Sequence, residues 1–524
     1  MSFLTPMNTS PRLFLAVALA AMAIVSSVPA SAQIGTRFPS EKKTVNDPVT
    51  GVPLTFLTST EGTGDSKIYQ THHQWTADGK WVIFRSNRVP GQAMAANEET
   101  GDIVQVSDQG FSGMLCLADH SMSLYFLRTA GGGRGRGPAA AAPAADATTA
   151  IPAVPAAATP ADPNAPAGTV PAGARGGARG AGRRGGAGPG GAPGAVAGGG
   201  GGGGGRGGPS QIIKVDLAKL FADSAAHTLQ PASAYEHVCG TIPVEWGAGG
   251  DMALDCTEDY AYFRVSGGEA AKHLAPDTKI EGPYGPRNMG AGPAGLGKMN
   301  LRTGEVSYIV SVPFQIGHVQ TNPWVPGEIV FCWETGGKAP QRTWTVMADG
   351  TGLRPLYPEA PYDWITHEAV ITKDEVAIAI LAHRKPGLPA DDAWGPSSTG
   401  EHPSGVGIVN LRTREMCIVG QVPEGNPGKS IWHVNGSPDG RWAVADDFQY
   451  RLWLIDRTSG EMKMLADLGH KTGAADHIHP TFNADSTKIE IQTAMLSEDG
   501  HSLNICVVPV PDSWLKRTYP ETFK

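Results

Sequence analysis

Residues 476–491 read Asp476-His477-Ile478-His479-Pro480-Thr481-Phe482-Asn483-Ala484-Asp485-Ser486-Thr487-Lys488-Ile489-Glu490-Ile491. Two histidines one residue apart lead into a polar turn, and the turn leads into a strand in which polar and apolar residues alternate. The turn-then-strand unit recurs along the chain. Asp78-Gly79 precedes Trp81-Val82-Ile83-Phe84, a turn at His120 precedes Leu124-Tyr125-Phe126-Leu127, and Glu258-Asp259 precedes residues 260–263. Gly327 precedes Ile329-Val330-Phe331, Asp374 precedes residues 376–380, and Asp439-Gly440 precedes Trp442-Ala443-Val444. With Asp485-Ser486 the units number seven.

A second signature lies downstream of several units: Asn97-Glu98-Glu99-Thr100-Gly101, Asn300-Leu301-Arg302-Thr303-Gly304, Asn410-Leu411-Arg412-Thr413-Arg414 and Asp456-Arg457-Thr458-Ser459-Gly460. Each suits a tight hairpin between two outer strands, with the final residue supplying a positive φ. Short strands, regular turns and almost no helical period predict an all-β chain, a seven-bladed β-propeller of four-stranded blades. The propeller is expected in two parts, 52–130 and 209–524, with residues 52–58 completing the last blade beside 504–510. A pair of β-sandwiches would leave unexplained why a histidine recurs upstream of the turns.

Between the two parts, residues 131–208 are almost entirely Gly, Ala, Pro and Arg. So few large apolar side chains cannot offset chain entropy, so a disordered, locally basic insertion is expected. At the N-terminus, residues 1–32 read as a secretory signal: one early Arg12, an apolar run over 13–28 and the small-residue exit Ala30-Ser31-Ala32. The apolar run is barely long enough to span a bilayer, so cleavage is expected rather than anchoring. The mature protein is then exported, periplasmic or secreted, with no stable membrane insertion, and residues 33–51 form a polar, irregular lead. A net charge of −8 and export together argue against nucleic acid as a partner. The 6 cysteines show no C-x-x-C spacing. Cys239 and Cys256 are candidates for a disulfide or for separate buried thiols. Nothing in the sequence selects an oligomeric state.

In a propeller the first strand of every blade lines the axis, so equivalent residues of different blades meet at one mouth. His72, His318, His367 and His433 each stand a short way upstream of a turn, as His479 does before Asp485. His477 and His479, at i and i+2 of an extended segment, point the same way, as two ligands of one ion must. The pattern predicts a metal or catalytic site on the axis, and imidazole suits zinc, manganese, iron, copper or nickel.

Several stretches resemble the oligogalacturonate lyases, seven-bladed propellers that degrade pectin fragments. The similar residues are Arg342-Thr343-Trp344-Thr345-Val346-Met347-Ala348-Asp349-Gly350 with Leu353-Arg354-Pro355-Leu356, and Thr366-His367-Glu368. To these add His318 with Val330-Phe331-Cys332-Trp333-Glu334, His433 with Ser437-Pro438-Asp439-Gly440, and His477-Ile478-His479-Pro480-Thr481-Phe482. The resemblance implies a divalent metal, typically Mn2+, on His433, His477 and His479. It implies His367 as the general base and Arg342 as partner of the substrate carboxylate. One departure stands out: the family has a glutamine ligand three residues before His-x-His, and this chain has Ala474 there.

The implied chemistry suits these residue types. Cleaving a 4-linked uronide by β-elimination removes a weakly acidic C5 proton beside an ionised carboxylate. Positive charge must offset that carboxylate, and a neutral imidazole can then act as base. The expected function is therefore a metal-dependent lyase for oligogalacturonates, with an acidic oligosaccharide as partner. A lyase for another acidic glycan and a non-catalytic binding propeller are the alternatives. His72, His73 and His318 are candidates for sugar contact or for capping the channel. Trp75, Trp324, Trp364 and Trp432 could stack on a sugar or fill the core.

Overall fold

The computed structural model describes residues 33–130, 208–283, 289–335, 339–360, 363–383, 403–422, 430–469 and 477–519. The expected signal segment, nearly all of the insertion, Ala474 and Asp476 lie outside the described residues. Among the described residues no helix is long and apolar enough to cross a membrane.

Seven antiparallel sheets form the blades of a propeller. Their first strands are Ser66–Lys67, Ser112–Leu117, Met252–Leu254, Ile316–Thr321, Asp363–Thr372, Ile431–Gly436 and Thr481–Phe482. From blade 2 to blade 7 each first strand packs against the next, forming the wall of the axis. Blade 7 closes the ring with chain from the other end of the molecule. Pro53–Phe56 pairs with Asn504–Pro509 through Thr55–Val507 and Phe56–Cys506, as the sequence predicts. Closure of this kind leaves no sheet edge unpaired at the seam.

Residues 33–51 depart from the expected irregular lead. Lys43–Asn46 is the outermost strand of blade 7 and Arg37–Phe38 the outermost of blade 1. Both are short edge strands with one apolar side chain each packed on the core, Phe38 and Val45, too few to show apolar alternation, and pairing with the sheet edge makes them strands. A helix, Leu217–Ala226, was likewise not expected. Asp216 caps it by accepting from Lys219 N, and Leu217, Leu220, Phe221 and Ser224 form its buried face, with Phe221 stacked on Trp81 at 4.1 Å.

The two repeated turns form as read. Gly101, Gly304, Arg414 and Gly460 take φ of 78°, 74°, 67° and 73°, and the N–H of each donates to the Asn or Asp four residues earlier. Between blades the core is apolar: Leu54, Phe56, Trp442, Leu454, Ile489, Ile491 and Val508 pack together across the blade 6–blade 7 seam. Burying such a side chain is worth about 1.5–3 kcal/mol each. The insertion leaves and re-enters blade 2 between Ser123–Thr129 and Ser210–Asp216, which pair directly from Thr129–Ser210 to Ser123–Asp216. Cys239 and Cys256 are separate thiols.

Candidate metal centre at the channel mouth

Each histidine reaches the axis through an irregularity in its strand. Register between first and second strands shifts across Gly317/Gln320, Thr366/Glu368 and Ile431/Val434, at His318, His367 and His433 respectively. His318, His367 and His479 take φ of 51°, 39° and 50°. A side-chain-bearing residue in that region costs on the order of 1–3 kcal/mol and persists only where its surroundings enforce it. Blade 2 has a register shift of the same kind across Ser112/Leu115 but places Gly113, φ 72°, in it, a residue with no side chain to project.

His433, His477 and His479 meet. One ring nitrogen from each lies within 4.8 Å of the others, and the ring centroids of His433 stand 4.0 Å from His479 and 5.6 Å from His477. His433 is fully buried, and its Nδ1 donates to Asp446 at 2.8 and 3.0 Å while its backbone N–H donates to the same carboxylate at 2.6 Å. His479 Nδ1 donates to the His477 carbonyl at 3.1 Å. Both rings therefore carry the proton on Nδ1 and the lone pair on Nε2, the form a metal requires, with a carboxylate behind His433 to fix its orientation. Gln492 steadies the pair from behind, donating to the His477 carbonyl at 2.7 Å with its amide 3.4 Å from His479 Nδ1. This donor set fits a divalent transition metal. Burial pushes the Asp446 carboxyl up to about 6, against the pull of the His433 N–H and the neighbouring imidazoles.

His367 lies beside the trio, its ring 4.2 Å from that of His433. Its Nδ1 donates to the Trp432 carbonyl at 2.6 Å, which leaves Nε2 as the basic nitrogen. The same Trp432 packs its indole 4.1 Å from His477 and stacks on Phe448, so one residue links His367 and the trio. Trp364 is buried beside Leu381 and Ala382, Trp75 donates to Glu98, and Trp324 is exposed.

His318 and Arg342 form a different environment. His318 Nδ1 donates to Glu368 at 2.8 Å, and its Nε2 stands 3.3 Å from Glu334. Arg342 reaches Glu368 through Nε at 3.4 Å and Glu334 through Nη2 at 3.8 Å, leaving Nη1 without a hydrogen bond among the described residues. Burial opposes charge on His318, but Cys332 and Glu368 outweigh it and hold the imidazole well above its ordinary pKa. Because burial pushes the Cys332 thiol to about 12, the carboxylate is the charged partner that matters at neutral pH. Glu368 in turn stays below its ordinary range despite burial, held there by His318 and Arg342.

His72 and His73 are placed elsewhere. His72 donates from Nε2 to the Met252 carbonyl at 2.8 Å and accepts from Thr71 at Nδ1, and burial pushes it down to about 4. His73 pairs with Asp119 at 2.9 Å in a small pocket with Cys116, Leu254 and Asp255. The blade 1 residue that does face the mouth is Tyr69, with ring centroids 4.8 Å from His318, 5.1 Å from His479 and 6.5 Å from His367. Tyr69, Asp446, Gln492 and the buried pair Lys67–Glu490, 3.5 Å apart, belong to none of the repeated histidine motifs of the sequence. The signal was present for two of these: Asp446 and Glu490 are charges on strands that are otherwise almost wholly buried.

No protein-family model matches this sequence, and no curated protein matches it. Among solved structures the chain is similar to an oligogalacturonate lyase in complex with manganese, with a TM-score of 0.60 and 16% identity over 93% of this chain and 100% of that one. It is similar in the same way to an oligogalacturonate lyase from Vibrio parahaemolyticus, with a TM-score of 0.59 and 16% identity over 92% of this chain and 100% of that one. The protein shares with these lyases the seven-bladed propeller fold.

Proposed function

We propose that this protein is an exported, metal-dependent lyase that cleaves 4-linked oligouronides, oligogalacturonates foremost, by β-elimination. The observation that carries this reading is His367, an imidazole with its lone pair on Nε2, held 4.2 Å from the ring of a three-histidine donor set. That pairing sits in a fold shared with a lyase solved with manganese.

His433, His477 and His479 would hold the ion, for which we propose Mn2+. When bound, it supplies positive charge to the substrate carboxylate and to the enolate that develops from it. His367 Nε2 takes the C5 proton, and the Trp432 carbonyl keeps the imidazole in the right tautomer and stabilises the cation that forms. Arg342 turns Nη1 to the substrate while Glu334 and Glu368 hold the rest of the guanidinium. The test is ultraviolet absorbance of the unsaturated uronide product, with purified protein, Mn2+ and a panel of acidic oligosaccharides, before and after chelation. Metal-dependent product from oligogalacturonate supports the reading. Product from a different uronide alone moves the substrate, and no product from any points to a binding propeller.

A further inference from the structure

A β-elimination needs two proton transfers. The base removes the C5 proton, and the departing O4 must receive one, because a sugar alkoxide is a poor leaving group. His367 enters the reaction with its lone pair on Nε2 and has no proton there to give. The trio turns one ring nitrogen each toward a common point, where a ligand needs its lone pair, and a guanidinium does not release protons near neutral pH. Among the described residues at the mouth, the Tyr69 hydroxyl and the His318 imidazolium hold a proton and stand between the base and the carboxylate pair.

Tyr69 bridges the two halves of the mouth. Its ring touches His479 on one side and His318 on the other, faces His367, and is 3% exposed. Its hydroxyl stands 3.4 Å from His318 Nε2. His318 is itself held between Glu368 at Nδ1 and Glu334 at Nε2, the arrangement of an imidazole kept protonated. The hydroxyl is thus backed by a proton reserve and lies among the groups that would surround the scissile bond.

Building on the β-elimination reading above, we propose that Tyr69 is the general acid of the reaction and that His318 recharges it. The C5–H bond breaks with its proton passing to His367 Nε2, and the electron pair forms the C4=C5 double bond. The C4–O4 bond breaks with its pair leaving on O4, which takes the Tyr69 hydroxyl proton. The Tyr69 oxygen takes the proton of His318 Nε2. His367 ends one proton richer and His318 one poorer, and exchange with water restores both.

The test separates a proton donor from a ring that merely packs. Tyr69→Phe keeps the ring and removes the hydroxyl. Its turnover is compared with wild type on an oligouronide and on a uronide carrying a 4-nitrophenyl group at O4, whose phenolate leaves without a proton. We expect the variant to lose about 10²–10⁴-fold on the oligouronide and far less on the aryl compound, with metal content unchanged. His318→Gln is expected to show the same dependence on leaving group. Equal losses on both substrates, or no loss on the oligouronide, would overturn the proposal while leaving β-elimination standing. Absence of elimination by wild type on either compound would instead remove the underlying reading, and Tyr69 with it.

Discussion

The two halves of the channel mouth are built from the same residue type and end in opposite electrostatic states. On one side His433 and His479 carry single protons on Nδ1, and the trio turns one nitrogen each toward a common point. On the other, His318 donates toward carboxylates from both nitrogens, and Arg342 shares those carboxylates. His318, Cys332 and Glu334 also bring ligand atoms within 4.8 Å of one another. A guanidinium 3.8 Å from Glu334 and a protonated imidazole nevertheless oppose a cation there. What differs is the neighbour. A single carboxylate behind His433 makes a better ligand, whereas carboxylates at both ends of His318 make a stored charge.

The sharpest way to break the contrast is to remove His367, the proposed base, which lies between the halves. His367→Ala should lower turnover about 10²–10⁴-fold with metal content intact. Near-wild-type elimination would move the base to the other half of the mouth. A smaller effect is expected at the carboxylate behind His433, a proposed ligand. Asp446→Asn should weaken metal binding about 10–100-fold, read by titration of the metal-free protein, with the circular dichroism spectrum preserved.

Below the trio, Lys67 donates to Thr481 at 2.8 Å and faces Glu490, a buried pair that burial drives toward neutrality. Burial pushes Glu490 up to about 7 and Lys67 down to about 8. Between the ordinary glutamate range and about pH 7 the folded protein binds the extra proton, so stability falls as pH rises. From about pH 8 to the ordinary lysine range the unfolded chain binds it, and stability rises with pH. The pair should therefore add a shallow minimum near pH 7–8 to the melting temperature, and Lys67→Met with Glu490→Leu should flatten it. An unchanged pH profile in the double variant would show that the pair stays ionised. The smallest effect belongs to the insertion. Because Thr129 and Ser210 already pair, replacing residues 131–207 with a short turn should leave melting temperature and turnover nearly unchanged.

Much of this was legible in the sequence because it repeats. The Asp-Gly turns, the Asn-x-x-Thr-Gly hairpins and the closing strand at 53–56 have local chemistry that fixes local conformation. The convergence of His433, His477, His479 and His367 followed from blade geometry. What the sequence hid depends on partners distant along the chain. His72 looked equivalent to the other histidines, but the Met252 carbonyl claims it and Tyr69 takes the facing position. Asp446 and Gln492 acquire meaning only when strands bring them behind the histidines. Lys43–Asn46 is a strand because blade 7 offers it an edge, which no property of its own residues announces.

One half of the mouth is proposed to hold the ion and the other to repel it. Metal content per chain, measured by elemental analysis after Mn2+ loading and desalting, tests it directly in wild type, His479→Ala and His318→Ala. The structure predicts one equivalent in wild type, near none in His479→Ala and one in His318→Ala. Full metal in His479→Ala, or equal loss in both variants, would contradict it.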